Sequence, residues 1–330
     1  MIRLHLVLLV HALALAALAS TSSGEPATRG AAADTAGVPA SRAPDKEVVY
    51  KKTAQGDMKL FVYLPADWKK SDHRPAILFL HGGGWTQGKP DQFYSKSEYL
   101  ASRGMVAFNV DYRMRSTTHT GMKECVEDAR SAMRFVRKNA ADWGVNPERI
   151  VGSGGSAGGH LAATLAIDTF DDPADDLTIS CQPQALVLYN PVLDFPAIFG
   201  EAHAHEMLWF TIPGKSSDEE KIKLLTDCSP AEHLKKDTPP TLIFYGDNDS
   251  LLNTARPFAE NSIALGNKVD IIDAPKVGHG FFNQPGWHQT TLVKTDQFLA
   301  SLNFLQGPPT VQGVDPAFAL YADKSGHGEK

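Results

Sequence analysis

The sequence predicts an α/β fold: a mostly parallel, eight-stranded sheet with helices on both faces. Three observations point there. From residue 46 onward, short β-branched or aromatic runs alternate with stretches whose apolar residues recur every three or four positions. The 330 residues are 42% hydrophobic and 21% charged, enough for one large domain with a full core. A knot of glycines around one serine, IVGSGGSAGGHLAA at 150–163, sits where a strand must turn straight into a helix.

In chain order, strands are expected at 48–53, 58–64, 76–80, 105–110, 149–153, 185–189, 241–245 and 269–273. The first two are expected to pair as an antiparallel hairpin about Gln55-Gly56-Asp57. Helices are expected at 91–103, 122–142, 157–167, 254–265 and 290–302. This alternation implies a sheet buried on both sides. No internal repeat is visible.

The regions outside this pattern read differently. Arg3, the apolar run 4–19 and Ala17-Leu18-Ala19 form a signal-peptide pattern over 1–19, with cleavage after Ala19. An uncleaved anchor is the alternative, but the run falls short of the roughly 20 residues a span needs and holds His5 and His11. Residues 20–45 have the composition of a flexible linker, 46–306 that of the domain, and 307–330 that of a tail. Export to a periplasm or beyond follows, with no stable membrane insertion once the signal is removed. The formal charge of −6 and the lack of a long basic run argue against nucleic acid as a partner. Cys125, Cys181 and Cys228 allow at most one bridge, with Cys228 pairing either of the others; buried thiols are the better reading. Neither CxxC spacing nor a Cys/His cluster suggests a metal.

The chemistry is expected at the glycine knot. Gly154-Gly155-Ser156-Ala157-Gly158 fits GxSxG, in which a serine is lifted above the sheet edge by a tight strand-to-helix turn. A phosphate loop would need GxxxxGK[ST], which is absent. A serine nucleophile requires a base and donors for an oxyanion. His81-Gly82-Gly83-Gly84-Trp85 follows the third strand and resembles the HGGG-type loop whose backbone amides serve an oxyanion hole, a resemblance that makes the amides of Gly83, Gly84 and Ala157 the expected donors. Among the histidines, His279 in VGHGFF stands between the last strand and last helix, with His288 as second candidate. A carboxylate at another strand end should orient the base, and Asp249 in YGDNDSL is preferred to Asp247, which would then shape the turn.

Taken with NVDYR (109–113), CVEDARSAMRFVRKNA (125–140), SPAEHL (229–234) and PPTLIFYGDND (239–249), these motifs resemble the α/β-hydrolase superfamily. Specifically the chain is similar to hormone-sensitive-lipase-like carboxylesterases and to the bacterial branch related to feruloyl and acetyl-xylan esterases. The resemblance covers about residues 46–304 and implies a cofactor-free serine carboxylesterase. Ser156 would attack, His279 would carry the proton and Asp249 would hold the imidazole. A departure is Gly155, where the family more often has Asp, Glu or Asn. An insertion at about 191–240 reads as a small cap. Trp85, Gly155, Trp209 and Phe281 are the expected substrate contacts, for a small-molecule or polysaccharide-linked ester with a short acyl group such as acetyl. A peptidase of the same fold and a non-catalytic binding module are the competing readings.

Overall fold

The computed structural model describes residues 40–199 and 217–311. The predicted signal peptide, most of the linker, Trp209 and most of the tail lie outside these residues.

Eight strands form one sheet: β1 (Lys46–Thr53), β2 (Gly56–Tyr63), β3 (Arg74–Leu80), β4 (Val106–Val110), β5 (Val145–Gly155), β6 (Ala185–Tyr189), β7 (Thr241–Gly246) and β8 (Val269–Ala274). Their spatial order is β1-β2-β4-β3-β5-β6-β7-β8. β1/β2 and β2/β4 pair antiparallel, and every later pair is parallel. The hairpin turn falls one residue before its predicted place. Thr53 pairs with Gly56, leaving Ala54-Gln55 as the loop, and the Thr53 hydroxyl donates to the Gly56 carbonyl at 2.8 Å. β5 is longer than expected because its first residues pair irregularly with Arg74.

The main helices are α1 (Tyr94–Ser102), α2 (Met122–Lys138), α3 (Ala157–Thr164), α4 (Phe195–Phe199), α5 (Asp218–Asp227), α6 (Leu252–Ala264) and α7 (Trp287–Ser301). Strand residues alternate between two cores. Ala76, Leu78 and Leu80 of β3 pack with Ile243 and Tyr245 of β7 in a core that α2, α3 and α6 cover. Ile77, Phe79, Leu242 and Phe244 face the other core, closed by Leu100 and Ala101 of α1 and Leu299 of α7. Burial on both sides removes the polar face, which is why these strands read as continuous apolar runs.

Both described ends of the chain dock on α1. The Ser41 amide donates to Glu98 at 2.7 Å, and the Thr310 amide to the Tyr99 hydroxyl at 3.0 Å. Arg103, just past α1, donates to the carbonyls of Gln306 and Gly307. The last residues of the predicted linker and the first of the predicted tail are therefore anchored to the domain.

Cys125, Cys181 and Cys228 are all free and buried, so neither considered bridge is present. A charged cluster ties the antiparallel edge to α2. Asp128, with no exposure, accepts from Lys51 Nζ at 2.7 Å and from the amide, Nε and Nη2 of Arg113 at 2.9, 2.8 and 2.8 Å. Removing one partner of such a buried cluster strands the others, so Asp128→Ala should lower the unfolding free energy by about 3–5 kcal/mol, read from urea denaturation.

Candidate active site

The nucleophile candidate sits between β5 and α3, which abut with only Ser156 between them. Ser156 has φ 55 and ψ −119, a strained conformation for a residue with a side chain. Its amide donates to the Tyr189 carbonyl at 2.7 Å, which fixes the turn against β6. The flanking glycines are required by close approach. A Cβ at Gly154 would lie 2.3 Å from the Gly158 carbonyl oxygen, and one at Gly158 would lie 2.1 Å from that of Leu80.

Two loops from neighbouring strand ends complete the site. His279 follows β8, with Nδ1 donating to Asp249 Oδ2 at 2.8 Å and Nε2 accepting from Ser156 Oγ at 2.8 Å. Its side chain is 43% exposed, so the group opens to solvent. Asp249 follows β7 and is buried; Oδ1 accepts from the Leu251 amide at 3.1 Å. Asp247 does not join this chain of bonds. It accepts from the Lys276 amide at 2.7 Å, pinning the loop that carries His279. His288, the second candidate base, is buried on α7, and burial together with the Lys96 ammonium pushes its pKa down to about 2.

The glycine loop after β3 runs beside the serine. A Cβ at Gly82 would lie 3.4 Å from Ser156 Cβ. Gly83, Gly84 and Trp85 have φ of 124, 62 and 58, three successive residues with positive φ. The loop is held by the Gly82 amide donating to Gln92 Oε1 at 2.6 Å and the Tyr112 hydroxyl donating to the His81 carbonyl at 2.7 Å. The amides of Gly83, Gly84 and Ala157 make no hydrogen bond among the described residues. They remain available to a developing anion, beside the N-terminus of α3. Among the described residues no group of three His, Cys, Asp or Glu side chains is placed to hold a metal ion.

The expected substrate contacts need correction. Trp85 is 4% exposed and Phe281 1%, and each belongs to a core. Phe281 packs edge-on against Trp287 at 5.5 Å. Gly155 does not open onto a pocket either: a Cβ there would lie 2.5 Å from Phe282 Cζ and 3.2 Å from Phe93 Cζ. Buried rings fill the space that a side chain at 155 would take. Periodicity gives no means of separating a pocket aromatic from a core one, because both are apolar residues near strand ends.

One neighbour was absent from the sequence reading. Asn190, fully buried at the end of β6 with φ 45, donates from Nδ2 to Asp249 Oδ2 at 2.8 Å, sharing that oxygen with His279. Its position directly after a strand and before Pro191 is the available signal, since asparagine tolerates the left-handed region.

A family model described as BD-FAE matches residues 60–261. The chain is 27% identical over 267 residues to the probable carboxylic ester hydrolase LipM of Mycobacterium tuberculosis, covering 77% of this chain and 61% of that protein. It is 30% identical over 246 residues to endo-1,4-beta-xylanase B of Butyrivibrio fibrisolvens, covering 73% of this chain and 36% of the xylanase. The chain thus spans less than two thirds of either relative. Esterase 2 of Thermogutta terrifontis, solved in its apo form, superposes with a TM-score of 0.71 at 40% identity, covering 79% of this chain and 96% of that one. The same esterase has been solved with propionate and with butyrate bound.

Two outcomes are expected. Gly155→Ala should destabilise the fold by about 1–3 kcal/mol through overpacking against Phe282, and Phe282→Leu should recover part of that loss in the double variant, measured by thermal unfolding. Burial lowers the pKa of His81 and of His160 from 6.5 to about 4. Protons therefore bind the unfolded chain first, so the stability these two neutral rings contribute is complete above pH 6.5 and is lost as pH falls through about 4. The urea midpoint should fall across that window, and His160→Asn should flatten the fall.

Proposed function

This chain belongs to the BD-FAE family of α/β-hydrolases, and from that premise we propose that it is a carboxylic ester hydrolase working through Ser156, His279 and Asp249. The observation that carries the reading is the continuous path from Ser156 Oγ through His279 to Asp249 in two 2.8 Å hydrogen bonds. Ser156 Oγ attacks the ester carbonyl as its proton passes to His279 Nε2. Asp249 holds the ring and stabilises the imidazolium. The tetrahedral oxyanion is met by the amides of Gly83, Gly84 and Ala157. Collapse returns the proton to the departing alcohol and leaves an acyl-serine. Water, deprotonated by the same imidazole, then releases the acid.

The preferred substrate class is an ester with a short acyl group. Its support is the likeness to an esterase solved with propionate and with butyrate bound. Acetyl or feruloyl esters of polysaccharides suit the family and the likeness to a xylanase. Secretion rests on the signal-peptide pattern of residues 1–19.

Hydrolysis of p-nitrophenyl esters from acetyl to decanoyl, beside acetylated xylan, tests the reading. Activity should peak at short chains and fall by at least about a thousandfold in Ser156→Ala, the loss typical of removing a triad nucleophile. Wild-type protein silent on every ester, or an equally active Ser156→Ala, would sink it. Cleavage of amides alone would favour a peptidase instead.

A further inference from the structure

His160 lies one turn beyond Ser156 on α3, is fully buried, and takes no part in the proton path proposed above. Its two ring nitrogens reach in different directions. Nδ1 accepts from the Trp85 indole Nε1–H at 3.2 Å, and Nε2 lies 2.9 Å from the Cys228 carbonyl oxygen. An indole only donates and a carbonyl only accepts, so the ring is fixed as the neutral tautomer with its proton on Nε2.

The two partners belong to different parts of the site. Trp85 directly follows Gly83 and Gly84, and its φ of 58 is one that a bulky residue keeps only when something holds it. Cys228 ends α5, at the far side of the insertion after β6. Phe195, near the start of that insertion, packs against the imidazole at 4.9 Å and the indole at 5.8 Å, and its amide donates to Ser229 Oγ at 3.1 Å. Phe195 and the Cys228-Ser229 step, one early and one late in the insertion, thus meet over one histidine. The insertion flanks the nucleophile turn, since a Cβ at Gly159 would lie 3.0 Å from Pro191.

We propose that His160 is a positioning residue with two separable arms, one setting the glycine loop through Trp85 and the other seating the ends of the insertion through Cys228. The proposal rests on reading Gly83 and Gly84 as oxyanion donors. The first arm acts on charge that appears only in the transition state, so its loss lowers kcat. The second seats the segment whose Pro191 abuts the nucleophile turn at Gly159, where a substrate must approach Ser156, so its loss raises KM.

Two substitutions divide the arms. Asparagine places an acceptor where Nδ1 stands and has nothing at Nε2; glutamine reaches the Nε2 position with a donor and leaves the indole unmet. With p-nitrophenyl butyrate, His160→Asn should raise KM about fivefold with kcat held within about twofold, and His160→Gln should lower kcat about tenfold at nearly constant KM. Trp85→Phe removes the indole donor together with part of the buried ring; with rates referred to the folded fraction, it should lower kcat as His160→Gln does and add little in the double variant. Equal kcat losses in both position-160 variants at unchanged KM, tracking the folded fraction by circular dichroism, would overturn the proposal, as would full additivity with Trp85→Phe. Should neither position-160 variant fold, an unaltered kcat in Trp85→Phe overturns it and a tenfold loss supports it. A wild-type protein without esterase activity would instead defeat the functional reading, an outcome visible before any variant is made.

Discussion

Three stretches of backbone meet at Ser156 with no room for a side chain between them, and the rest of the site is built outward from that contact. The end of β5, the first turn of α3 and the end of β3 approach so closely that a Cβ at Gly154 or Gly158 would overlap a carbonyl oxygen. Glycine at these positions permits the tight turn, and the tight turn holds Ser156 in its left-handed conformation. Because β3 and β6 flank β5, the glycine loop and Asn190 arrive on either side of the serine. The parallel sheet then brings residues far apart in sequence to one edge: Ser156 and His279 are 123 positions apart and share a hydrogen bond.

This edge was largely legible from the sequence, because it depends on local chemistry. Strand runs announce themselves when both faces are buried, and all eight expected runs overlap a strand. The residues Ser156, His279 and Asp249 stand at strand ends, where polar side chains interrupt apolar runs, and the fold joins them. The pocket was not legible. Trp85, Gly155 and Phe281 have the right residue types for a binding wall, yet Trp85 and Phe281 are buried and Gly155 yields its space to Phe282. Which way an aromatic ring turns is decided by packing across elements, and no run of sequence records it. Asn190 escaped for a similar reason: its role exists only once β6 and β7 lie side by side.

The histidines show how environment separates one residue type into different jobs. His279 is half-exposed, hydrogen-bonded at both nitrogens, and placed where a proton can come and go. His81 and His160 are buried and held neutral, serving as shaped hydrogen-bonding plates. The carboxylates divide likewise. Asp249 faces the imidazole, Asp247 clamps the loop that presents it, and Asp128 binds the antiparallel edge to α2 far from the chemistry. Fixed groups surround the few that must change charge.

The docking of both described chain ends on α1 has a topological consequence. Ser41 and Thr310 bond to adjacent residues, Glu98 and Tyr99, on the same short helix. Where the backbone enters and leaves the domain is therefore nearly one place, and a short peptide would join the two. A circular permutant opened at the Ala54-Gln55 turn would keep β1 and β2 as neighbours, no longer linked by a hairpin, with every strand crossing around Ser156 unchanged.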